Sequence, residues 1–137
     1  MTHSNLNSIL KSLQENDDNI TTLDEGWSQG RSAFGGISAA FAITAMKKLV
    51  PNDSPLRSLS VSFIAPVPLG KILIETEIIR KGKSVIQAEA SLVCDGNICL
   101  RAMAVFGYAR ETYGIQSATS CKLKPRGVGV KFEDHAK

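Results

Sequence analysis

Few residues in this chain have the type and spacing to do chemistry. Gly35 and Gly36 stand at the head of an alanine-rich apolar run, Gly36 to Val50 (GISAAFAITAMKKLV). Glycine admits a ligand close to the backbone, and the first amides of a helix lack partners within it, so such a junction can hold a negative oxygen. A tight loop-to-helix turn without a ligand would use the same residues. Ser38 and Thr44 are the hydroxyls in the body of that run. A hydroxyl without a neighbouring base is a weak nucleophile, and on a buried helix it usually bonds a carbonyl four residues back. Arg80, Lys81 and Lys83 put three positive charges on one short segment, with Ser84 beside them. That cluster suits phosphate, although a solvated hairpin that resists edge aggregation has the same composition. Asp24 and Glu25 are the nearest carboxylates before the glycines and are expected in solvent at a strand end.

Other chemistries are poorly provided for. Cys94, Cys99 and Cys121 form no CxxC pair, and His3 and His135 lie at the extreme ends. A structural zinc needs about four converging ligands, so no metal site is expected. The opening MTHSNLNSIL has no basic region followed by an apolar block, and an odd cysteine count without a secretion signal fits a reducing cytoplasm. The stretch from Ala33 to Met46 is shorter than the ~18 apolar residues of a membrane span. The net charge of +3 is too mild for a nucleic-acid partner, while a single anionic ligand fits it.

The elements that must position these residues follow from periodicity. A chain of 137 residues with 43% hydrophobic and 21% charged residues suggests one globular domain. Its expected extent is 1–110, with 111–137 as a tail or linker whose KLKPRG run (Lys122, Lys124 and Arg126) is solvated. Leu6, Ile9, Leu10 and Leu13 recur at helical spacing, and Asn16 to Asn19 (NDDN) end that helix. Ile20 to Trp27 reads as a first strand and Gln29 to Gly36 as a loop. The run from Gly36 to Val50 ends in lysines before Pro51, which are helix-end signals. It is apolar on nearly all sides, so burial on nearly all sides is expected.

Beyond Pro51 the period becomes two. Leu59, Val61 and Phe63 alternate with serines, and three further alternating runs follow, carrying Ile72 to Ile78, Ile86 to Leu92 and Ile98 to Phe106. Short connections make them an antiparallel meander. With Lys81-Gly82-Lys83 as a three-residue loop, Arg80 opposes Ser84, Ile78 opposes Ile86 and Ile74 opposes Ala90. With Asp95-Gly96-Asn97 as another, Cys94 opposes Ile98, Leu92 opposes Leu100 and Ala88 opposes Ala104. Both registers gather the even-numbered apolar residues on one face, and Cys94 and Cys99 then point to opposite faces. Glycine is not in the usual left-handed slot of either loop, so a two-residue turn plus a bulge fits equally well. The alanines at 88, 90, 102 and 104 leave room for a helix to lie close. The expected class is α+β, a long central helix wrapped by an antiparallel sheet of about five strands.

Phe34-Gly35-Gly36, then Leu59 to Pro68 (LSVSFIAPVP), then Arg80 to Ser84 (RKGKS), then Asp95-Gly96 and Ala104 to Gly107 (AVFG) follow one another between about Trp27 and Gly107. In that order and spacing they resemble the hotdog fold, and more narrowly the acyl-CoA thioesterase II-type branch of that superfamily. Enzymes of this branch usually carry two hotdog modules in tandem, and this chain looks like the first alone. The resemblance implies a homodimer or higher homo-oligomer with ligand sites where helix meets neighbouring sheet. It implies acyl-CoA as partner and thioester hydrolysis as activity, with coenzyme A as part of the substrate and no other cofactor.

Within that resemblance, the Gly35 and Gly36 amides would form the oxyanion hole, and Phe34, Arg80, Lys81, Lys83 and Ser84 would bind substrate. The water-activating group is not visible. Single-module relatives place a carboxylate on the central helix at about the position of Ile43, yet no Asp or Glu lies between Gly36 and Val50. In tandem enzymes the Asp, Thr and Gln belong mainly to the second module, and the Gln position falls near Phe106. Ser38 and Thr44 remain as weak substitutes. Trp27, Phe41, Met46 and Met103 could line an acyl pocket or simply pack. A non-catalytic acyl-CoA-binding module and one half of a split tandem enzyme are the alternatives. A hotdog dehydratase would need His and Asp in the site, and both histidines are terminal.

Overall fold

A computed structural model describes residues 5–29, 32–33 and 35–109. Phe34 and the segment 111–137 lie outside the described residues, as do His3, Cys121 and His135. The element order is α1 (Leu6–Glu15), β1 (Ile20–Leu23), a 3₁₀ turn (Glu25–Trp27), β2 (Ser28–Gln29), β3 (Ser32–Ala33), α2 (Gly35–Lys47), β4 (Leu56–Phe63), β5 (Gly70–Lys81), β6 (Val85–Cys94) and β7 (Asn97–Gly107). Among the described residues, five strands form one antiparallel sheet in the order β1-β5-β6-β7-β4, with β1 and β4 as its edges. The expected α+β architecture of a helix against a five-stranded sheet is what the chain adopts.

The expected face is also the one buried. Ile72, Ile74, Ile86, Ala88, Ala90, Leu92, Leu100, Ala102, Ala104 and Phe106 are each 2% exposed or less. They form one core with Phe41, Ala42, Ala45 and Met46 of α2 and with Ile9 and Leu13 of α1. The alanines let α2 sit close to the sheet, and the larger residues fill the space on either side. Burial of this kind contributes roughly 25 cal/mol per Å² of apolar surface. Asn5 caps α1 by accepting the Asn7 N–H at 3.0 Å. The other end of α1 is held by Lys48, whose Nζ donates to the carbonyls of Leu13 and Asn16 and to Asn19 Oδ1 (3.1, 2.6 and 2.5 Å).

Several expectations need correction. The first strand stops at Leu23, because Asp24 Oδ1 accepts the Gly26 N–H and its carbonyl accepts the Trp27 N–H, turning the chain into a 3₁₀ turn. The loop before α2 holds a small hairpin, β2 with β3. The helix is not buried on nearly all sides in the single chain. Gly36 is exposed and Ala39, Ala40, Ile43 and Thr44 are only half-buried, which is a stripe along one face.

Both hairpins turn out to be tight turns with bulges. In β5–β6, Ile74 pairs with Leu92 and Ile78 with Ala88, two residues along from the three-residue-loop register. A shift of two preserves the face, which is why the core was assigned correctly. A bulge between Ile78 and Arg80 then pairs Arg80 with Gln87 rather than Ser84. Gly82 N–H donates to the Val85 carbonyl at 2.8 Å, leaving Lys83 and Ser84 at the tip. In β6–β7 the body follows expectation, with Ala88 opposite Ala104 and Leu92 opposite Leu100. Near the turn Val93 pairs with Ile98 and Cys94 with Asn97, so Cys99 is the extra residue. Asp95 (φ 51°) and Gly96 (φ 78°) both occupy the left-handed region, the signature of a two-residue type I′ turn. The bulge also overturns the placement of the cysteines: both thiols are buried in the one core as close neighbours.

Candidate active site

The site is built where α2 begins. Ala33 N–H donates to the Val67 carbonyl at 2.8 Å, tying the strand before the helix to the segment after β4. Ile64 and Ala65 donate their N–H groups to the Cys99 carbonyl (2.9 and 3.0 Å), which fixes that segment to the bulge. Between these two anchorages lies a cavity of about 400 Å³. Gly35 and Ser38 line it from the helix, and Phe63, Ile64, Ala65 and Val67 face them. The helix has no acidic residue in its first turn, so its positive end is not neutralised by its own side chains.

The predicted residues divide by position. Gly35 and Ser38 are in the cavity, and Ser38 is fully buried. A Cβ on Gly35 would come within 3.1 Å of Phe63 Cε1, so glycine is needed for the ring to lie where it does. Gly36 is on the open side of the first turn, where a Cβ would meet nothing within 4 Å. Thr44 lies two turns further along on the half-exposed stripe and is not among the cavity residues. Among the described residues no carboxylate lines the cavity. Trp27 packs partly buried against the core, and Phe41 and Met46 are in the core itself; Met103 is 43% exposed. Sequence reasoning missed Phe63 and the wall from Ile64 to Val67; the proline-punctuated end of LSVSFIAPVP was their signal.

The basic hairpin is elsewhere. Arg80, Lys83 and Ser84 border a recess of about 290 Å³ with Val85 and Gln87. Val85 pairs with Gly107 at one end of β7, whereas Phe63 pairs with Leu100 near the other. The seven steps from Leu100 to Gly107 span roughly 23 Å at ~3.3 Å per residue. One chain therefore does not bring the hairpin cations to the helix N-terminus. A third recess, on the solvent face of the sheet, is lined by Glu75, Glu77, Glu89 and Arg101. Its carboxylates would repel a phosphate, and its walls offer an acyl chain little apolar surface. Among the described residues, no three or more His, Cys, Asp or Glu side chains gather as metal ligands, and no helix is long and apolar enough to cross a membrane.

Comparison with known proteins locates this arrangement. The family model of the acyl-CoA thioesterase N-terminal domain matches residues 23–107. A hot dog fold protein of unknown function from Alicyclobacillus acidocaldarius is 25% identical, with a TM-score of 0.63 over 78% of this chain and 40% of its own. A protein from Thermobifida fusca, assigned provisionally as a thioesterase II, is 18% identical, with a TM-score of 0.64 over 91% of this chain and 47% of its own. A Bacillus halodurans protein crystallised with CoA is 19% identical, with a TM-score of 0.61 over 72% of this chain and 74% of its own. This chain thus spans less than half the length of the first two. Comparison with curated proteins gives no match. The shared fold is the hotdog.

Proposed function

Because this chain belongs to the acyl-CoA thioesterase N-terminal domain family, we propose that it binds acyl-CoA and hydrolyses the thioester, most closely in the manner of the thioesterase II type. The observation that carries this reading is the cavity at the start of α2, walled by Gly35 and Ser38 on one side and by apolar residues on the other. Unpaired helix amides there would hold the thioester carbonyl oxygen and favour the charge that develops when water attacks. The apolar wall would take the acyl chain. The CoA bound to the Bacillus halodurans relative supports the ligand class. No cofactor beyond coenzyme A is required by this chemistry.

The reading assigns the site to a homodimer. The stripe of Gly36, Ala39, Ala40, Ile43 and Thr44 is left half-covered, and beside it Leu59, Val61 and Phe63 form an apolar ledge on the edge strand β4. A second copy pairing antiparallel along β4 would cover both. Such pairing sets the Phe63 end of one strand beside the partner's Leu56 end. The hairpin lies at that Leu56 end, since Gly107 bonds Pro55 and Tyr108 bonds Ser84. The partner's hairpin cations would then stand across the interface from the cavity, two strands in from its edge, about 10 Å at ~4.8 Å per strand. A long ligand with a thioester at one end and phosphates at the other suits that spacing. The water-activating group would also come from across the interface. A reducing, cytoplasmic setting belongs to this reading, on the odd cysteine count.

A second reading is binding without turnover, alone or as half of a split enzyme; the absence of Asp and Glu from Gly36 to Val50 favours it. Release of CoA thiol from short, medium and long acyl-CoAs separates the two. Turnover that depends on chain length and is lost in Gly36→Val is expected. A folded oligomer that binds acyl-CoA without releasing thiol would overturn hydrolysis and leave the binding module.

A further inference from the structure

Cys94 and Cys99 take no part in the chemistry above, yet they are tied to the cavity. Both are 3–4% exposed, both are free thiols, and their side chains are close neighbours in the core. The Cys99 thiol also donates to the Asn97 carbonyl at 3.7 Å. Cys99 is the bulged residue, with no partner of its own in the ladder to β6. Its carbonyl accepts the N–H groups of Ile64 and Ala65, and both of those residues line the cavity. We propose that Cys94 and Cys99 form a reversible disulfide across the β6–β7 hairpin, and that its closure displaces the cavity wall at Ile64 and Ala65. This goes beyond the hydrolase reading and holds whichever ligand the cavity takes.

The mechanical step is a contraction from non-bonded contact to the ~2.05 Å of a disulfide. Cys94 is held in register with Asn97 next to the type I′ turn, whereas the bulge leaves Cys99 the freer partner. The movement therefore falls on Cys99, and its carbonyl carries Ile64 and Ala65 with it.

The chemistry needs an oxidant, and a peroxide supplies it. One thiol sulfur is oxidised to a sulfenic acid as the peroxide O–O bond breaks and one water leaves. The second thiol attacks that sulfur, forms the S–S bond, gives up its proton and expels a second water. An external dithiol reverses the step. Burial pushes the Cys94 thiol up to about 12, with the neighbouring Cys99 and Asp95 adding to the effect. Cys94 is thus protonated at neutral pH, and burial slows its oxidation.

The test uses the full chain, both wild type and in a Cys121→Ser background that removes the third thiol. After hydrogen peroxide treatment, intact mass should fall by two hydrogens, with no covalent dimer on a non-reducing gel. Peptide mapping should find Cys94 joined to Cys99. Hydrogen exchange at the Ile64 and Ala65 amides should accelerate at least about tenfold, and dithiothreitol should restore it. In Cys94→Ala the same treatment should leave those amides at their reduced-state rate. Sulfinic acid in place of the disulfide overturns the proposal. A disulfide that leaves exchange at 64 and 65 unchanged also overturns it, and so does equal acceleration in Cys94→Ala. Because the wild-type arm needs no substitution, a poorly folding variant does not decide the matter.

Discussion

Gly36→Ala separates a binding role for the helix amides from a folding role. Gly36 lies in the first turn of α2, is exposed, and has no heavy atom within 4 Å of where a Cβ would stand. The methyl therefore costs no packing within the chain. Replacing glycine by alanine in a helix gains about 0.5–1 kcal/mol, less near an end, so unfolding should shift upward by a few tenths of a kcal/mol or more. For a domain of this size that is roughly 1–4 °C in Tm. A ligand oxygen held at ~2.7–3.1 Å from these amides would meet the methyl, and losing one such donor costs about 10²–10³ in kcat. The assay pairs thermal unfolding with CoA release, and sedimentation checks that the oligomer persists. A variant at least as stable as wild type, equally oligomeric and a hundredfold slower is expected. Full activity would refute the assignment of these amides to the carbonyl oxygen. A loss of stability would refute the reading of free space. Gly35→Ala is the contrast: its methyl presses on Phe63, a ring 63% exposed that can swing aside.

Four other outcomes are expected. Arg80→Ser, Lys81→Ser and Lys83→Ser together should weaken CoA binding about tenfold or more and flatten its salt dependence, with unfolding unchanged; calorimetry at two ionic strengths checks it. Lys48→Met should cost about 1–3 kcal/mol in urea unfolding, because it strips the donor from two carbonyls and from Asn19 at the end of α1. Raised above its unfolded value, the Cys94 thiol favours the folded state fully below about pH 9. That contribution fades as pH climbs toward 12, by at most about 1.4 kcal/mol per pH unit, and Cys94→Ala should lose this alkaline slope. Finally, protomers carrying Gly36→Val, mixed with protomers carrying the triple hairpin substitution, should recover about a quarter of wild-type turnover. Random pairing makes half the dimers mixed, and each mixed dimer has one intact composite site. No recovery would place the whole site within one chain.

How much was legible depends on which property the geometry conserves. The alternation from Ile72 to Phe106 determined the buried face, and a two-residue slip in β5–β6 left that face unchanged because parity survives it. Bulges do not conserve parity. The extra residues beside Ile78 and at Cys99 were invisible to periodicity, so Arg80 was paired wrongly and the two thiols were set on opposite faces. The one local hint was a glycine out of the usual left-handed slot of each three-residue loop, which made a two-residue turn plus a bulge equally possible. Of the two, only Gly96 sits in the turn itself, while Gly82 flanks it. Similarly, Asp24 ended a strand early through side-chain and main-chain bonds that no hydrophobic pattern records.

The candidate site was legible as residue types but not as a constellation. Gly35 and Ser38 share a cavity, while Arg80, Lys83 and Ser84 stand at the far end of the sheet. The sequence nevertheless contains the resolution. A helix apolar all round should be buried all round, and the single chain leaves Gly36, Ala39, Ala40, Ile43 and Thr44 incompletely covered. Leaving those side chains in water forfeits about 25 cal/mol for each Å² of apolar surface that a neighbour could cover. In the proposed homodimer the pattern of α2 would be that of a helix inside an assembly, formed along the β4 edge that is open among the described residues. In the proposed dimer, the pairing that covers the stripe would also carry a hairpin toward a cavity. Covering the helix and completing the site would then be one structural requirement, and a substitution on the β4 ledge such as Leu59→Lys should abolish both together.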